Sequence, residues 1–497
     1  MSNETEALIA EYFATGTLAG LPRDHWIDGQ WHAAAGGDAM ETFDPGLGRA
    51  FAAFASGCEQ DVELAVNAAD RAMRGPWSKG TPAERSRILL RAAEGIRANA
   101  ERLAVIETLD NGKTLSEAQS DVRSAARLFE YYAGAADKLH GETMALGPDY
   151  VSQTMLEPVG VTAHVIPWNY PFSTAARGLA PALAAGCTAV LKPAEQTPLS
   201  ALLLAQILHQ AGLPAGVCNV VTGTGAKVGA PLVAHPKVRH VTFTGSVQTG
   251  SAVMQAAARN ITSVTLELGG KSPMVVLADC DLDATIEDAL WAIYSNAGQI
   301  CSAGSRLVIE RSIHAEFVER LAARANQLTL GHGLKNPNIG AISSLQQLEK
   351  ISGYVEDARA RGIKVAAGGT RLTDPASGSG WFFAPTLLDN LRPMDRLVQE
   401  EIFGPVLAVQ VADSAEHALE LANGTPFGLA AGIYTRDITK ALRLARDIDA
   451  GQVYINEYYA GGVETPFGGN KLSGFGREKG LEGLRSYCRV KAVTARI

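Results

Sequence analysis

VTAHVI (161–166), TAVLK (188–192), VCNVV (217–221), RHVTFT (239–244) and TSVTLEL (262–268) are short β-branched runs, each parted from the next by a segment long enough for a helix. That alternation is the pattern of βαβ units closing a parallel sheet, and it predicts a dinucleotide-type α/β fold between Val159 and about Leu268. A second alternation begins at PMVVLADCDLD (273–283) and continues through Trp291 to Ala297, Leu307 to Glu310 and a helical pattern from Ile313 to Thr329. It reads as another α/β domain. Upstream, from Asp61 to about Ala136, Ala, Glu, Arg and Leu recur at helical spacing, punctuated by Thr81-Pro82 and Asn111-Gly112, which predicts three or four scaffold helices. Downstream, GQVYINEYYAGGVETPFGGNKLSGFGREKG (451–480) is rich in Gly and aromatics and short of helix formers. It is placed in loops, where binding residues collect.

The chain's 497 residues are about three times the common domain size, so two or three units sharing a large core are expected. Apolar residues at 46%, charged residues at 19% and 51 glycines suit a globular α/β protein and exclude a disordered or fibrous one. Forty-four basic against 52 acidic residues give a net charge of −8, with the basic ones scattered, so nucleic acid is not an expected partner. The longest apolar stretch, Leu179 to Leu191, falls short of the roughly 20 residues of a membrane span. No membrane partner is expected. MSNETEALIAEYF carries acidic residues where a secretory signal is basic, which predicts a cytoplasmic protein. Six cysteines without a C-x-x-C pair, and ten histidines without an H-E-x-x-H, argue against a disulfide framework and a metal site.

Several segments carry residues suited to chemistry. Gly223-Thr-Gly225-Ala-Lys-Val-Gly229 follows a strand and is similar to the dinucleotide fingerprint, with one extra residue before the last glycine. The alternative is a strand-to-helix turn that needs glycine for positive φ. Gly245 and Ser246 open the next helix, whose N–H groups suit a pyrophosphate; the alternative is ordinary capping by Ser246. Lys192 and Glu195 stand at a strand's carboxyl end, where a carboxylate can accept from both ribose hydroxyls and repel a 2′-phosphate. Glu195 thus favours NAD over NADP, the alternative being a solvated ion pair. Cys301 lies among polar and glycine neighbours, unlike Cys187, Cys218 and Cys280, which read as buried hydrophobes. The carboxyl end of the preceding helix disfavours its thiolate, so activation must come from a nicotinamide cation and backbone N–H groups. Glu267 sits in an apolar strand, where burial raises a carboxyl pKa toward that of a general base; the alternative is a pair with Lys271. Asn169 precedes Pro171 at a helix start and can donate to an oxyanion or cap the helix.

In order along the chain, IPWNYP (166–171), KPAEQTP (192–198), FTGS (243–246), LELGGKSP (266–273), GQICSAGSR (298–306), EEIFGPV (400–406) and PFGGNKLSG (466–474) resemble the motifs of the NAD(P)-dependent aldehyde dehydrogenase family. The resemblance extends from WIDGQW (26–31) to Arg489–Val493. It implies an α/β fold with a Rossmann-type cofactor domain (1–136 and 157–268), a second α/β catalytic domain (269–480) and a small β oligomerisation element (137–156 and 481–497) building a homodimer or homotetramer. By position, Cys301 looks like the nucleophile, Glu267 like the base that activates water, and Asn169 with the Cys301 N–H like the oxyanion hole. Lys192 and Glu195 would hold the adenosine ribose, Ser246 the pyrophosphate, and Glu401 the nicotinamide ribose beside Phe403. Ile166, Trp168, Gly225, Gly229, Gly245 and Leu268 complete the implied cofactor contacts.

Two departures from the family pattern stand out. Many relatives link a lysine one residue beyond Arg177 to a glutamate in the GRE segment as a proton relay; here the first position is Gly178, while Glu478 remains. Pocket positions that are large and apolar in several relatives read Ser124, Thr174, Arg177, Ser295, Ser302 and Gly461, which predicts a wider, more polar pocket also lined by Tyr170, Ile300, Tyr459 and Phe467. Tyr170, Thr174 and Arg177 share one helical face. Arg177 matches an arginine that pairs with the substrate carboxylate in semialdehyde-specific relatives, the alternative being an arginine paired with a neighbouring acid. Tyr458, Tyr459 and Phe467 suit an aromatic or branched aldehyde instead. The implied reaction is oxidation of an aldehyde to its acid through a Cys301 thioester, with hydride passing to NAD. A coenzyme A-acylating relative is disfavoured by Glu267, and a non-catalytic relative by the intact set of Cys301, Glu267 and Asn169.

Overall fold

Strand Val161–Val165 carries apolar side chains on one face and Thr162 and His164 on the other, and it is covered on both sides. It pairs in parallel with Thr188–Lys192 on one edge and Val238–Thr244 on the other, as a fully buried strand requires. In the computed structural model, which describes residues 2–497, these strands form the middle of an eight-stranded sheet. Its order is Gln30–His32, His25–Ile27, Cys218–Val220, Thr188–Lys192, Val161–Val165, Val238–Thr244, Ser263–Glu267 and Gly474–Phe475. The winding reverses between Val161–Val165 and Val238–Thr244, which makes the carboxyl ends there the ligand crevice of a doubly wound sheet. Helices Pro82–Ala98, Leu115–Ala135, Pro171–Ala185 and Leu199–Gln210 cover one face, and Glu59–Arg74 with Val247–Ala258 the other.

LELGGKSP leads from the last parallel strand directly into a second sheet, through Glu267, Gly269-Gly270 and Pro273. That sheet has seven strands in the order Lys364–Ala367, Thr386–Asp389, Val406–Ala412, Arg306–Glu310, Pro273–Val276, Ala430–Tyr434 and Gln452–Ile455, parallel but for the first pair. The carboxyl end of one sheet therefore faces the start of the other. A third, three-stranded sheet joins Thr143–Met144, Tyr150–Pro158 and Cys488–Arg496, the last two antiparallel along their whole length. Among the described residues, no helix is long and apolar enough to cross a membrane.

Three local expectations change. Five helices, not three or four, fill the scaffold segment, because Pro76–Lys79 makes a separate turn and Thr81 starts the next helix with a capping box to Glu84. The segment 451–480 is not all loop: Val453 and Ile455 pair with Ala431 and Ile433 as an edge strand, and Gly474–Phe475 closes the first sheet. Pairing of the Tyr150 strand continues to Pro158 opposite Cys488, past the boundary placed at 156.

Candidate active site

A cavity of about 620 Å³ opens between the two large sheets. Cys301 and Asn169 share its wall with Ser124, Tyr170, Thr174, Arg177, Ser295, Ile300, Ser302, Tyr459, Gly461 and Phe467. Helix Leu282–Tyr294 ends before it, and the chain then turns through Asn296 and Ala297, both at positive φ. Two consecutive non-glycine residues in that region cost of order 1 kcal/mol each, so the surroundings must hold them. They do: the Asn296 N–H donates to Glu117 Oε1 at 2.7 Å, and its Nδ2 to the Asn169 carbonyl at 3.1 Å.

The same network fixes the amide donor. Asn169 is buried, and its Nδ2 donates to the Gln299 carbonyl at 2.9 Å, which uses one of its two N–H groups. It caps nothing: Tyr170 is the capping residue of Pro171–Ala185, without a side-chain cap bond, so the capping alternative falls. Cys301 is half-buried as a residue, and enclosure pushes its thiol up to about 12. Arg177 is the protein cation that opposes this rise, while Glu401 and Glu267 add to it. Desolvation, rather than the helix terminus, is what keeps the thiol neutral.

Glu267 ends strand Ser263–Glu267 and is 1% exposed. It makes no pair with Lys271, whose ammonium is buried elsewhere without a partner, so that alternative falls as well. Neither carboxyl oxygen has a hydrogen-bond partner, and burial together with the nearby Glu478 raises its pKa well above the usual range. The group is not among the residues lining the cavity and is tucked against Gly468, where an added Cβ would lie 2.8 Å from Oε1. Glu478 is buried and forms an ion pair with Arg177 Nε, which realises the paired-acid alternative for that arginine. Gly178 leaves no room for a side chain, since its Cβ would lie 2.6 Å from His164 Nδ1. Arg177 therefore stands as the cation beside Glu478, and it faces the Phe467 ring at 5.0 Å.

Along the doubly wound sheet, Lys192 Nζ meets Glu195 Oε2 at 3.2 Å, and Glu195 Oε1 accepts from the Gly225 N–H at 2.8 Å. Lys192 is 3% exposed, so this is not the solvated pair that was the alternative. Gly223 takes φ +140°, which only glycine adopts readily, and side-chain space is open above Gly225 and Gly229. At Gly245 a Cβ would strike the Phe243 ring at 2.6 Å. Ser246 caps helix Val247–Ala258 by accepting from the Thr249 N–H at 3.2 Å, so its capping alternative holds. Some backbone donors and acceptors are engaged internally: Ile166 N–H to the Lys192 carbonyl, Leu268 N–H to the Ser473 carbonyl, and the Trp168 carbonyl to Asn111 Nδ2. Glu401 accepts from the Gly270 N–H at 3.0 Å, and Phe403 sets its ring edge-on to Trp168 at 5.2 Å. Sequence reasoning passed over Thr244, whose buried hydroxyl on the cavity wall has no partner, and Lys479, which also lines the cavity. The GREK run held the one available signal for Lys479, a lysine directly after Glu478.

A thiol and an amide donor sharing a cleft at the ends of a doubly wound sheet describe an enzyme, and comparison with known proteins says which class. The aldehyde dehydrogenase family model matches residues 31–493. The chain is similar to betaine aldehyde dehydrogenase of Bacillus subtilis, at 42% identity over 94% of this chain and 96% of that protein. Among solved structures it is similar to aldehyde dehydrogenase from Bacillus cereus in complex with NAD+, at 40% identity and TM-score 0.94 over 100% of this chain and 99% of that one. It is also similar to betaine aldehyde dehydrogenase from Staphylococcus aureus in complex with NAD+, at 37% identity and TM-score 0.95 over 100% and 97%. The protein is an oxidoreductase acting on the aldehyde group. The chain belongs to the aldehyde dehydrogenase family.

Proposed function

We propose that the protein oxidises an aldehyde to its carboxylic acid with NAD, through a thioester on Cys301. The observation that carries this reading is the shared cavity wall of Cys301 and Asn169, with the Glu267 carboxylate near enough to act on the Cys301 thiol. The Cys301 thiol gives up its proton to solvent water, and the thiolate adds to the carbonyl carbon, forming a C–S bond as the carbonyl π bond breaks and places charge on oxygen. Asn169 Nδ2–H and the Cys301 N–H donate to that oxygen, a stabilisation commonly worth about 3 kcal/mol per donor. When bound, NAD supplies the hydride acceptor. Glu267, a base of raised pKa, takes a proton from water as its oxygen attacks the thioester, and the acid leaves as Cys301 regains its sulfur electrons.

The residues present fit a dinucleotide. Open space over Gly225 and Gly229, a carboxylate at Glu195 already aimed by the Gly225 N–H, and the N-terminal turn after Ser246 suit adenosine ribose and pyrophosphate. Glu195 supports NAD over NADP by repelling a 2′-phosphate, and Glu401 with Phe403 would border the nicotinamide ribose. The three-stranded sheet supports assembly into a homodimer or homotetramer, since Tyr150, Val151, Met155, Val490 and Val493 are exposed on it. A cytoplasmic location remains part of the proposal. The test is Cys301→Ala, which is expected to abolish aldehyde-dependent NADH formation while NAD still binds. Retained turnover, or strict dependence of the wild type on coenzyme A, overturns the reading.

A further inference from the structure

Asn296 is buried in the turn that leads to Cys301, and no step of the reaction above uses its side chain. Its backbone lies in the left-handed region at φ 46°, followed by Ala297 at φ 52°, with its N–H held by Glu117 Oε1 at 2.7 Å. From that turn the carboxamide reaches across to the segment before helix Pro171–Ala185. Asn296 Nδ2 donates to the Asn169 carbonyl at 3.1 Å and to the Gln299 carbonyl at 3.4 Å. The Gln299 carbonyl is also the acceptor for Asn169 Nδ2, at 2.9 Å. Gln299 is itself anchored: its Nε2 donates to the Asn296 and Ala341 carbonyls at 3.0 and 3.3 Å, and its Oε1 accepts from the Ser343 N–H at 2.9 Å. One amide therefore grips Asn169 twice, by its main chain directly and by its side chain through the shared carbonyl. Asn296 Oδ1, by contrast, has no hydrogen-bond partner, so the donor end is the one the fold uses.

We propose that Asn296 is a positioning residue for the oxyanion: its carboxamide fixes the direction of the free Asn169 N–H relative to the carbonyl that Cys301 attacks. The inference rests on the oxidation proposed above. Asn169 Nδ2 carries two N–H groups in one plane, so committing one to the Gln299 carbonyl determines where the other points. A donor aimed before charge develops needs no reorganisation when the oxyanion forms, and a displacement of about 1 Å can cost about 10²-fold in rate. Asn296 is not among the residues lining the cavity and acts through Asn169. Its residue type suits both duties, because asparagine enters the left-handed region more readily than most side chains and carries two donors.

The experiment separates the turn from the amide. Asn296→Gly keeps a backbone at ease at positive φ and removes the donor; Asn296→Ala removes the donor and keeps a Cβ. Both are expected to lower kcat for aldehyde oxidation by roughly tenfold to a hundredfold, with KM for NAD little changed. Alkylation of Cys301 by iodoacetamide, which forms no oxyanion, is expected to keep its wild-type rate in both. In an Asn169→Ala background, adding Asn296→Gly is expected to cost nothing further, because the group it aims is gone. Wild-type kcat in Asn296→Gly shows that only the turn matters and overturns the proposal. So does a full additional loss in the Asn169→Ala background, or alkylation that slows in step with kcat, which means the sulfur itself has moved. Absence of NADH formation by the wild type with every aldehyde defeats the oxidation instead, so the two failures are told apart.

Discussion

Cys301 illustrates how one side chain answers to several fields at once. Enclosure pushes its thiol up to about 12, and Arg177 only partly offsets that, so without cofactor the group is a neutral thiol at pH 7. The thiolate fraction then rises about tenfold per pH unit until the pKa is reached. Alkylation of the cofactor-free enzyme by iodoacetamide is expected to accelerate with that slope from about pH 7 to about pH 10. A plateau near pH 8 contradicts it. Burial and the nearby Glu478 raise the Glu267 pKa, which strengthens its carboxylate as a base, and hydrolysis in the proposed reaction requires it to accept a proton. Glu267→Gln is therefore expected to keep a first burst of NADH and lose steady turnover by about 10²–10⁴-fold. Stopped-flow absorbance checks this, and a variant lacking the burst rules out a role confined to hydrolysis.

Gly298 couples two segments that lie far apart in sequence. At φ +73° it approaches the 401–405 run so closely that a Cβ would lie 2.1 Å from the Gly404 carbonyl oxygen. Gly298→Ala would push the Cys301 loop away from Glu401 and Phe403, at a cost of about 2–4 kcal/mol, with weaker NAD binding. Thermal denaturation and a fluorescence titration measure both effects, and a wild-type Tm contradicts the argument. In the first sheet, His164 and His240 stand on adjacent parallel strands, and burial draws their pKa down to about 3 and about 4. Unfolded histidine protonates near 6.5, so the unfolded state binds more protons below that pH. The stability these groups provide is complete above about 6.5 and is lost as the pH falls through 4 toward 3. His240→Gln is expected to make the fall of Tm between about pH 6.5 and about pH 4 shallower, and equal slopes refute this.

The cavity exists because two α/β sheets meet end to start across LELGGKSP, and the third sheet stands apart from it. Cys488–Arg496 pairs with Tyr150–Pro158 along its full length, so removing it strips one sheet of its longest partner while leaving the cleft residues in place. If the proposed homo-oligomer assembles through this sheet, a chain ending at Tyr487 is expected to lose it by light scattering, and an unchanged mass per particle counts against the assembly surface.

Both α/β alternations, the strand-end position of Lys192, the strand position of Glu267 and the loop position of Cys301 were legible in the chain, because hydrophobic period and glycine placement are local properties. The edge strands Gln452–Ile455 and Gly474–Phe475 were not, since a strand that short forms only when a partner from another segment presents its backbone. The same holds within the site. That Asn169 leaves its helix uncapped, that Glu267 ignores Lys271, and that Arg177 pairs with Glu478 depend on distances between segments that no spacing encodes. Residue types and their order determined the family and its chemistry. Which charges are neutralised inside the protein was decided only when the chain closed around them.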